Sequence, residues 1–445
     1  MSENIQKNRF MTGRMPDPSR KRLVILTGAR QTGKTTLVKA VYPDLRYVNL
    51  DAPENREAVR AIASASWARD VGAAILDEAQ KEPSVFEKVK YAYDDGALPF
   101  SVLLGSSQIL LLKRIRETLA GRVSLFELWP LMMSEIREAP SGGFSAGALP
   151  ADVSSSSGSL IAVGRAPGKP LPPPLVDRLF TAASLKDIFA DVPGVLLDRE
   201  DETARRAEAY LLQWGGMPGL LPLTDDERRQ WLKDYGFTYL ERDLGDLARL
   251  DDLSPFRKFQ RLTALRSGCL LNYSELARDA AVSVDTARRY LEYLRLSYQT
   301  VLLPPYHVNL TSAVIKTPKV YWLDIGLLRM LSGMSGAVTG EIYETMVVGE
   351  LMKWMKTAGR DGEIYFYRTR SGLEVDILLD TPDGVVGMEI KNRRVIARKD
   401  VTALKEVARG LGSRWRGGLV IYSGDAIKPL ADPEIWAVPS RRLLS

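Results

Sequence analysis

The stretch from residue 28 to residue 36 has the residue types and the spacing of a loop that binds phosphate groups. It reads Gly28, Ala29, Arg30, Gln31, Thr32, Gly33, Lys34, Thr35, Thr36. In such a loop the backbone N–H groups and the start of the following helix face the phosphate oxygens. Lys34 supplies a charge to the β and γ oxygens, and Thr35 supplies a hydroxyl for Mg²⁺. We therefore predict that these residues bind ATP together with Mg²⁺.

Two carboxylates further along the chain could complete this site. Residues 73–76 are apolar and lead directly into Asp77 and Glu78, which is the pattern of a buried strand that ends in acids. We predict that Asp77 holds Mg²⁺ through water and that Glu78 polarises the water that attacks the γ-phosphate. A glycine-rich turn that arose by chance would not require this second half. The two motifs together therefore predict a nucleotide-hydrolysing site.

The last hundred residues carry a second set of groups that could do chemistry. Asp376 lies in a strand-like run, a turn follows at residues 381–384, and Glu389 and Lys391 alternate on the returning strand. Alternate residues of a strand project from one face, so the three side chains could converge. This is the pattern of the PD-(D/E)xK nuclease fold, in which two carboxylates hold Mg²⁺ and the lysine acts on the attacking water.

Such sites usually draw one more carboxylate from an upstream helix. The helical pattern over residues 343–356 offers Glu344 and Glu350, and we predict Glu350 to be the additional metal ligand. A pair of solvent-facing strands could carry the same E-x-K letters in any sheet. Metal-dependent cleavage by this region and a non-catalytic scaffold therefore both stay open.

A helix pair is predicted between these two sets of groups. Residues 274–279 read as a short helix, residues 280–282 as a tight turn, and Ser283 as the cap of a second helix. Strand-like runs at residues 300–303 and 319–323 follow, as in a winged helix-turn-helix. The polar face of the second helix carries basic residues that would meet nucleic acid, namely Arg288, Arg289 and Arg295. That face also carries acids, and many winged helices only pack against other domains, so DNA contact and domain packing both stay open.

Composition limits the classes of protein that remain. The chain has 445 residues, of which 45% are apolar and 26% charged, and this predicts a multi-domain globular protein. The net charge of +6 permits nucleic-acid binding without arguing for it. The absence of an apolar run of membrane-spanning length predicts a cytoplasmic protein with no membrane partner. A single histidine excludes a zinc site built from histidines, and a single cysteine, Cys269, excludes an internal disulfide and is expected to be buried.

The whole pattern resembles a prokaryotic AAA+ family that joins an AAA_14-type ATPase core to a DUF4143 C-terminal region. The resemblance extends from about residue 22 to beyond residue 391. It departs from the family at the Pro/Gly/Ser-rich segment 139–174 and at residues 311–314, where similar proteins tend to carry a more basic segment. Its motifs are Gly28 to Thr36, Leu76 to Gln80, Leu104 to Ser107, Leu119 to Arg122, Gly215 to Pro218, Tyr239 to Asp243, Pro318 to Gly326, and the Glu374-Val-Asp376 and Glu389-Ile-Lys391 pair.

The resemblance implies an α/β fold with six segments. These are an N-terminal tail at 1–20, a P-loop AAA+ core with a parallel sheet at 21–138, an insertion or linker at 139–174, a helical lid at 175–250, a winged-helix-like domain at 251–325, and a PD-(D/E)xK nuclease-like α/β domain at 326–445.

Two further residues gain roles from the same resemblance. Ser107, after the apolar strand 101–104, stands where AAA+ proteins place the polar sensor that orients the hydrolytic water. Arg122, after the helix 108–120, stands where AAA+ rings present a finger to the γ-phosphate of a neighbouring subunit. This implies a homo-oligomer, with a hexameric ring as one form. A cation beside a capping glycine at a helix end would also explain Arg122, so both interpretations stay open.

The residues and the resemblance together lead to one hypothesis and one alternative. The hypothesis is an ATP-hydrolysing AAA+ protein that couples turnover to the binding or processing of nucleic acid, with DNA the expected partner. The alternative is a regulatory NTPase switch that controls protein partners through a catalytically inactive, nuclease-like scaffold. Stimulation of ATP hydrolysis by DNA or RNA would separate the two.

Overall fold

The structure is a computed structural model that describes residues 9–105, 118–137, 171–196, 199–236, 252–306 and 316–445. Several predictions from the sequence lie outside these residues. They are the sensor Ser107, most of the helix 108–120, most of the segment 139–174, the motif Tyr239 to Asp243 with the end of the helical lid, and the departure from the family at 311–314.

A five-stranded sheet forms the N-terminal core. Its strands are β1 (Arg22–Thr27), β2 (Arg46–Asn49), β3 (Ala74–Asp77), β4 (Phe100–Leu104) and β5 (Val123–Glu127), in the order β2-β3-β4-β1-β5. Every pairing is parallel, so β1 and β3 end at the same edge of the sheet. The predicted parallel sheet is confirmed, and its topology brings the P-loop after β1 close to the acids after β3.

Helices cover this sheet because each has one apolar face. They are α1 (Lys34–Val41), α2 (Pro53–Ala61), α3 (Trp67–Asp70) and α4 (Ser84–Asp94), and α5 (Met133–Arg137) follows the last strand. In α4, Val85, Phe86, Val89 and Ala92 are buried, which is the spacing of one helical face. That face packs into the same hydrophobic cluster as alternate residues of β1 and β3.

The middle of the chain is mainly helical. It contains α6 (Leu185–Phe189), α7 (Arg199–Trp214), α8 (Asp225–Asp234), α9 (Ser254–Leu265), α10 (Tyr273–Ala280), α11 (Val284–Leu296) and α12 (Ile325–Ser332). Three short strands, β6 (Cys269–Leu270), β7 (Thr300–Leu303) and β8 (Lys319–Trp322), form an antiparallel sheet in the order β6-β8-β7.

The predicted helix pair is confirmed as α10 and α11. Ala281 ends α10 in the left-handed conformation with φ 57°, and the Ser283 side chain accepts a hydrogen bond from Thr286 N at the start of α11. The strands predicted after the pair are present as β7 and β8. The prediction for Cys269 is wrong, because this residue at the edge of the small sheet is exposed.

A mixed six-stranded sheet forms the C-terminal part. The strands are β9 (Glu363–Arg368), β10 (Glu374–Thr381), β11 (Gly384–Lys391), β12 (Trp415–Tyr422), β13 (Lys428–Ala431) and β14 (Ile435–Pro439). The helices of this part are α13 (Gly340–Ala358), α14 (Thr402–Leu411) and α15 (Ser440–Leu444). The strand order is β13-β14-β12-β11-β10-β9. The predicted hairpin is confirmed, because β10 and β11 pair antiparallel and their last pair is Thr381 with Gly384.

Helix α13 holds the three parts together. Nearly all of its surface is buried, and one hydrophobic cluster continues from Leu131 after β5, through the helical middle, to Leu444 in α15. A helix that is apolar on every side belongs in the interior of a protein. Among the described helices, none is both long and apolar enough to span a bilayer.

Candidate functional site

The P-loop turns sharply at three residues after β1. Gly28, Gln31 and Gly33 have φ angles of 148°, 63° and 90°. At Gly28 a side chain would also collide with the backbone, because a Cβ there would lie 2.2 Å from the carbonyl oxygen of Leu128. Only glycine fits this position, which explains why the first glycine of the motif is needed.

The charged group of the loop is held by the loop itself. Lys34 Nζ donates to the carbonyl oxygens of Gly28 at 2.9 Å and Ala29 at 2.8 Å. The side chain is buried, and Thr32 Oγ1 closes the same turn by donating to Ala29 O at 2.9 Å. The ammonium group is therefore already positioned inside the curve of the loop, where phosphate oxygens would meet it.

Asp77 joins the two predicted halves of the site. Its Oδ2 accepts hydrogen bonds from Thr35 Oγ1 at 2.7 Å and from the phenol of Tyr47 at 2.8 Å, and its Oδ1 accepts from Glu78 N at 2.9 Å. Burial, and then the hydrogen bond to Asp77, raise the pKa of Tyr47, so the phenol keeps its proton and acts as the donor. Three donors from three different segments thus fix the orientation of one carboxylate.

Glu78 adopts a conformation that is uncommon for a residue with a side chain. Its φ of 54° lies in the left-handed region, and Gln80 Nε2 donates to its Oε2 at 2.5 Å. Strained backbone in such a position often accompanies function, because the surrounding structure has to stabilise it. Gln80 was part of the predicted motif but had no assigned role, and the contact makes it the residue that orients Glu78.

The oxygen atoms at this place fit a magnesium ion. Mg²⁺ prefers a few protein oxygens and keeps several waters. The Thr35 hydroxyl and the Asp77 carboxylate, whose oxygens are 2.7 Å apart, are such a pair. These two residues would hold the ion.

The N-terminal segment is part of the site, which the prediction of a tail at 1–20 did not anticipate. The Arg9 guanidinium donates to Thr32 O in the P-loop at 3.0 Å and to Trp129 O at 2.6 Å, and it pairs with Glu135 at 3.0 Å. Arg9 and Glu135 are both buried. The pair therefore connects the P-loop to the segment that leaves the sheet after β5.

The P-loop also contacts residues from the other parts of the chain. Tyr235, after α8, donates its phenol to Arg30 O at 3.1 Å. Ala29 lies in a small buried cluster with Trp129, with Tyr298 and Leu323 from the helical middle, and with Met352 from α13. A change in the P-loop backbone would therefore alter contacts with the helical middle and with α13 of the C-terminal part.

Arg122 directly precedes β5, so it lies at the amino ends of the parallel strands, whereas the P-loop lies at their carboxyl ends. Its guanidinium binds the Asp94 carboxylate through two hydrogen bonds, of 2.6 and 3.0 Å. The hydrogen bond to Asp94 raises the pKa of Arg122. The side chain is partly exposed at the end of α4, so a neighbouring molecule could reach it. Its action in trans stays a prediction.

The C-terminal groups converge as the sequence predicts. Glu389 stands opposite Asp376 in the β10–β11 register, which pairs the adjacent Ile377 with Met388. Lys391 Nζ lies 2.7 Å from Glu389 Oε2 and 3.7 Å from Asp376 Oδ2, and Ile390 N donates to Asp376 at 2.8 Å. Burial, and then the charge of Asp376, raise the pKa of Glu389 to about 8.

The structure corrects the choice of Glu350 as the helical carboxylate of this group. Glu350 is buried on another side of α13, where it accepts from Met133 N at 2.6 Å and from Lys353 Nζ at 2.6 Å. The residue near Asp376 is Glu344, whose pKa is raised by burial and then by the charge of Asp376. At 3.6 residues per turn, two residues six positions apart project about 120° from each other around the helix axis, so both cannot face one point.

The charges around Asp376 and Glu389 do not fit a bound metal ion. Within the described part of the chain, no group of three or more His, Cys, Asp or Glu side chains is arranged to hold one. The cations beside these carboxylates are lysine ammonium groups: Lys391 contacts Glu389, and Lys319 contacts Glu344 and Glu374. The metal role of Asp376 and Glu389 stays a prediction, while Glu350 lies on another side of α13.

The three predicted nucleic-acid residues lie on the exposed face of α11. Arg288 Nη1 is 3.7 Å from Asp285, Arg295 donates to Glu292 at 2.7 Å, and Arg289 donates to Thr286. All three guanidinium groups remain accessible, because their side chains stand on the surface. The neighbouring acids reduce the positive potential of this face.

Three family models match successive parts of the chain. Residues 20–137 match AAA_14, an AAA domain. Residues 205–337 match DUF8612 and residues 339–443 match DUF4143, both of them domains of unknown function. The first part is thus an AAA-family ATPase domain, which implies nucleotide binding and agrees with the site around Lys34 and Asp77. The AAA_14 and DUF4143 parts of the expected resemblance are confirmed.

Two curated relatives match over most of the chain. They are Uncharacterized protein Mb2031c of Mycobacterium bovis and Uncharacterized protein Rv2008c of Mycobacterium tuberculosis, each 27% identical over 434 residues, which is 95% of this chain and 81% of the relative.

Similar solved structures include two archaeal ATPases. The Walker-type ATPase paby2304 of Pyrococcus abyssi is 16% identical, with a TM-score of 0.40 over 74% of this chain and 97% of that one. The STAND protein PH0952 of Pyrococcus horikoshii, which has a tetratricopeptide repeat sensor, is 11% identical, with a TM-score of 0.22 over 76% of this chain and 45% of that one.

The matched ranges divide the chain differently from the predicted domains. The DUF4143 match begins at residue 339, just before α13, whereas the prediction began its last domain at 326. The difference concerns α12, which packs against α7 and α9 of the helical middle.

Proposed function

We propose that this chain hydrolyses ATP as an oligomer and couples hydrolysis to the binding of nucleic acid, with DNA the first candidate. The observation that carries the ATPase is the 2.7 Å contact between Thr35 and Asp77, which joins the phosphate-binding loop to the acidic strand end. Mg²⁺, when bound there, would offset the phosphate charge.

The chain's own residues would divide the work as follows. The P-loop amides and Lys34 would bind the β- and γ-phosphates, and Glu78, oriented by Gln80, would position the attacking water. Ser107 would act as the polar sensor. Arg122 of a neighbouring subunit would stabilise the charge that develops on the γ-phosphate.

Coupling would pass from the P-loop to the helix pair α10–α11. With β7 and β8 this pair has the elements of a winged helix, a fold that can present its second helix to DNA. Tyr298, which follows α11, shares the buried cluster of Ala29, and its phenol lies 2.6 Å from Thr27 Oγ1. Nucleotide binding at the loop would thereby alter the support of the exposed Arg288, Arg289 and Arg295.

The test is the rate of ATP hydrolysis with single-stranded DNA, duplex DNA or RNA. We expect stimulation that weakens with salt, because phosphate contacts release counterions. Replacing Arg288, Arg289 and Arg295 by Gln should remove it. Lys405→Gln with Arg409→Gln, outside the buried face of α14, removes positive charge elsewhere on the chain and should retain the stimulation. Equal rates with and without every nucleic acid would contradict the coupling while leaving the ATPase intact.

A regulatory switch is the second candidate, and the ion pairs favour it. The α11 arginines have acids beside them, and the C-terminal carboxylates are bound by lysines, which suits a packing surface and a scaffold. In this case ATP alone would change hydrogen exchange in α10 and α11, and nucleic acid would leave the hydrolysis rate unaffected.

A further inference from the structure

A lysine from the helical middle enters the carboxylate cluster of the C-terminal sheet. Lys319 Nζ lies 2.7 Å from Glu374 Oε1 on β10 and 3.1 Å from Glu344 Oε1 on α13. Its side chain is only 5% exposed, although it belongs to β8 of the small antiparallel sheet. A buried ammonium group is tolerated where carboxylates surround it, and here β10 and α13 each supply one.

The rest of the cluster is organised in the same way. Tyr321, two residues along β8, donates its phenol to the same Oε1 of Glu344 at 2.5 Å. Arg368 Nη1 lies 3.3 Å from the second oxygen of Glu374. Lys391 forms ion pairs with Glu389 at 2.7 Å and with Asp376 at 3.7 Å. Four carboxylates therefore face three protein cations, and each carboxylate has a cation within 4 Å.

We infer that Lys319 is the resident counter-ion of this cluster, that it excludes a divalent metal, and that it fastens the β8 sheet to the C-terminal domain. A divalent ion between Asp376 and Glu389 would approach two ammonium groups and would be repelled by both. Without Lys319, Glu344 and Glu374 would lose their shared partner, and the carboxylates would gain affinity for a cation from solution.

This role does not depend on the proposed function. Lys319 would pair with the carboxylates of the C-terminal domain in an ATPase that responds to nucleic acid and equally in one that does not. The cluster lies where the small β8 sheet meets the C-terminal domain, and it has no metal-dependent chemistry.

The experiment measures Mn²⁺ binding to the full chain without nucleotide, by the paramagnetic resonance signal of free Mn²⁺. An Asp77→Asn background removes the carboxylate of the nucleotide site. The variants are Lys319→Met, which keeps length but removes charge, and Lys319→Arg, which keeps the charge. We expect no bound Mn²⁺ in the parent and in Lys319→Arg, one bound ion in Lys319→Met, and loss of that ion when Asp376→Asn is added.

Two results would overturn the inference. One is a Mn²⁺ ion bound to the parent and lost with Asp376→Asn, which would show a metal site despite Lys319. The other is a folded Lys319→Met protein that binds no more Mn²⁺ than the parent. If Lys319→Met fails to fold, the double variant Lys319→Met/Glu344→Gln removes one charge of each sign, and the same gain of Mn²⁺ is expected from it.

Thermal unfolding gives an independent measurement. Mn²⁺ should raise the Tm of Lys319→Met, because a ligand that binds the folded state stabilises it, and should leave the Tm of the parent unchanged. An equal rise in both would contradict the exclusion of metal by Lys319.

Discussion

The phenol oxygen of Tyr298 lies 2.6 Å from the hydroxyl oxygen of Thr27, the last residue of the strand that leads into the P-loop. Tyr298 has a φ of 61°, a left-handed conformation that is unfavourable for a bulky residue. Its ring packs edge-on against Trp129 with the ring centres 5.1 Å apart. This residue therefore connects the end of the arginine-bearing helix α11 directly to the nucleotide loop.

Tyr298→Phe tests whether this connection transmits the nucleotide state. The ring would remain packed, while the phenol would lose its contact with Thr27, with a net value of about 1 kcal/mol, and its 3.4 Å hydrogen bond to Glu127. We expect ATP to protect residues 284–303 from hydrogen exchange in the wild type and to protect them less in the variant. Tyr293→Phe, a change on α11 with no phenol hydrogen bond to a described residue, is the control. Equal protection in all three proteins would show that Tyr298 only stabilises the fold.

The nucleotide site makes a paired prediction for Lys34 and Glu78. Lys34→Ala should abolish ATP binding, because it removes the charge that meets the β- and γ-phosphates. Glu78→Gln should bind ATP normally but fail to hydrolyse it, because an amide does not polarise the water as a carboxylate does. Fluorescent-nucleotide binding and phosphate release measure the two steps. Normal steady-state hydrolysis by Glu78→Gln would remove Glu78 from its assigned role.

Arg122 can be separated from an ordinary ion pair by its partner. If Arg122 acts in trans, Arg122→Ala should bind ATP but hydrolyse it roughly 10³-fold more slowly, as other arginine fingers do. Asp94→Asn removes the partner and keeps the arginine, so hydrolysis should continue. Mixing Arg122→Ala with Lys34→Ala protein should restore part of the activity at mixed interfaces. Absence of rescue, with a monomeric mass in ATP, would leave Arg122 as a helix-end cation.

Local motifs were predictable from the sequence, and long-range contacts were not. The P-loop, β3 with its acids and the β10–β11 hairpin each depend on residues close in the chain, so spacing and alternation sufficed. Arg9 contacts the P-loop, and Tyr298 contacts the strand end before it, from segments that carry no motif. The residues adjacent to them in the sequence do not indicate these contacts.

The confusion of Glu350 with Glu344 has a specific physical cause. A helix with one apolar stripe reveals which carboxylate faces the site, but α13 is buried on nearly all sides and has no such stripe. Both acids lie among mainly apolar residues of one helix, and each is bound by a lysine, so the sequence pattern does not separate them. The choice required the packing of α13 between the three parts of the chain.

Glu350 and Lys353 form a buried ion pair that should matter for stability. Their side chains are 2% and 3% exposed, and Glu350 also accepts from Met133 N near the end of the AAA domain. Glu350→Gln leaves the lysine charge buried without a carboxylate, at a cost of roughly 3–5 kcal/mol. The Tm should fall markedly, and Glu350→Gln/Lys353→Met should recover much of it. Glu406→Gln, from an exposed pair with Arg409, should cost about 1 kcal/mol or less.

Glu389 makes stability depend on pH in a definite direction. Burial, and then the charge of Asp376, raise its pKa from the ordinary value of 4.5 to about 8. Between these values the folded protein keeps a proton at Glu389 that the unfolded chain has lost, so the free energy of unfolding falls as pH rises. Below pH 4.5 Glu389 is protonated in both the folded and the unfolded protein, so it does not make the free energy of unfolding depend on pH.

Glu389→Gln should therefore flatten the pH dependence of thermal unfolding. Glutamine resembles the protonated acid in size and cannot ionise. The variant therefore does not lose the free energy of unfolding that the wild type loses as pH rises through the range between the unfolded and folded pKa values of Glu389. Relative to wild type, its Tm should rise between about pH 5 and about pH 9, even if the lost contact with Lys391 lowers the Tm throughout. Glu406→Gln should show a constant difference from wild type over the same range. A Tm difference for Glu389→Gln that stays constant or falls with pH would mean that Glu389 is ionised in the folded protein.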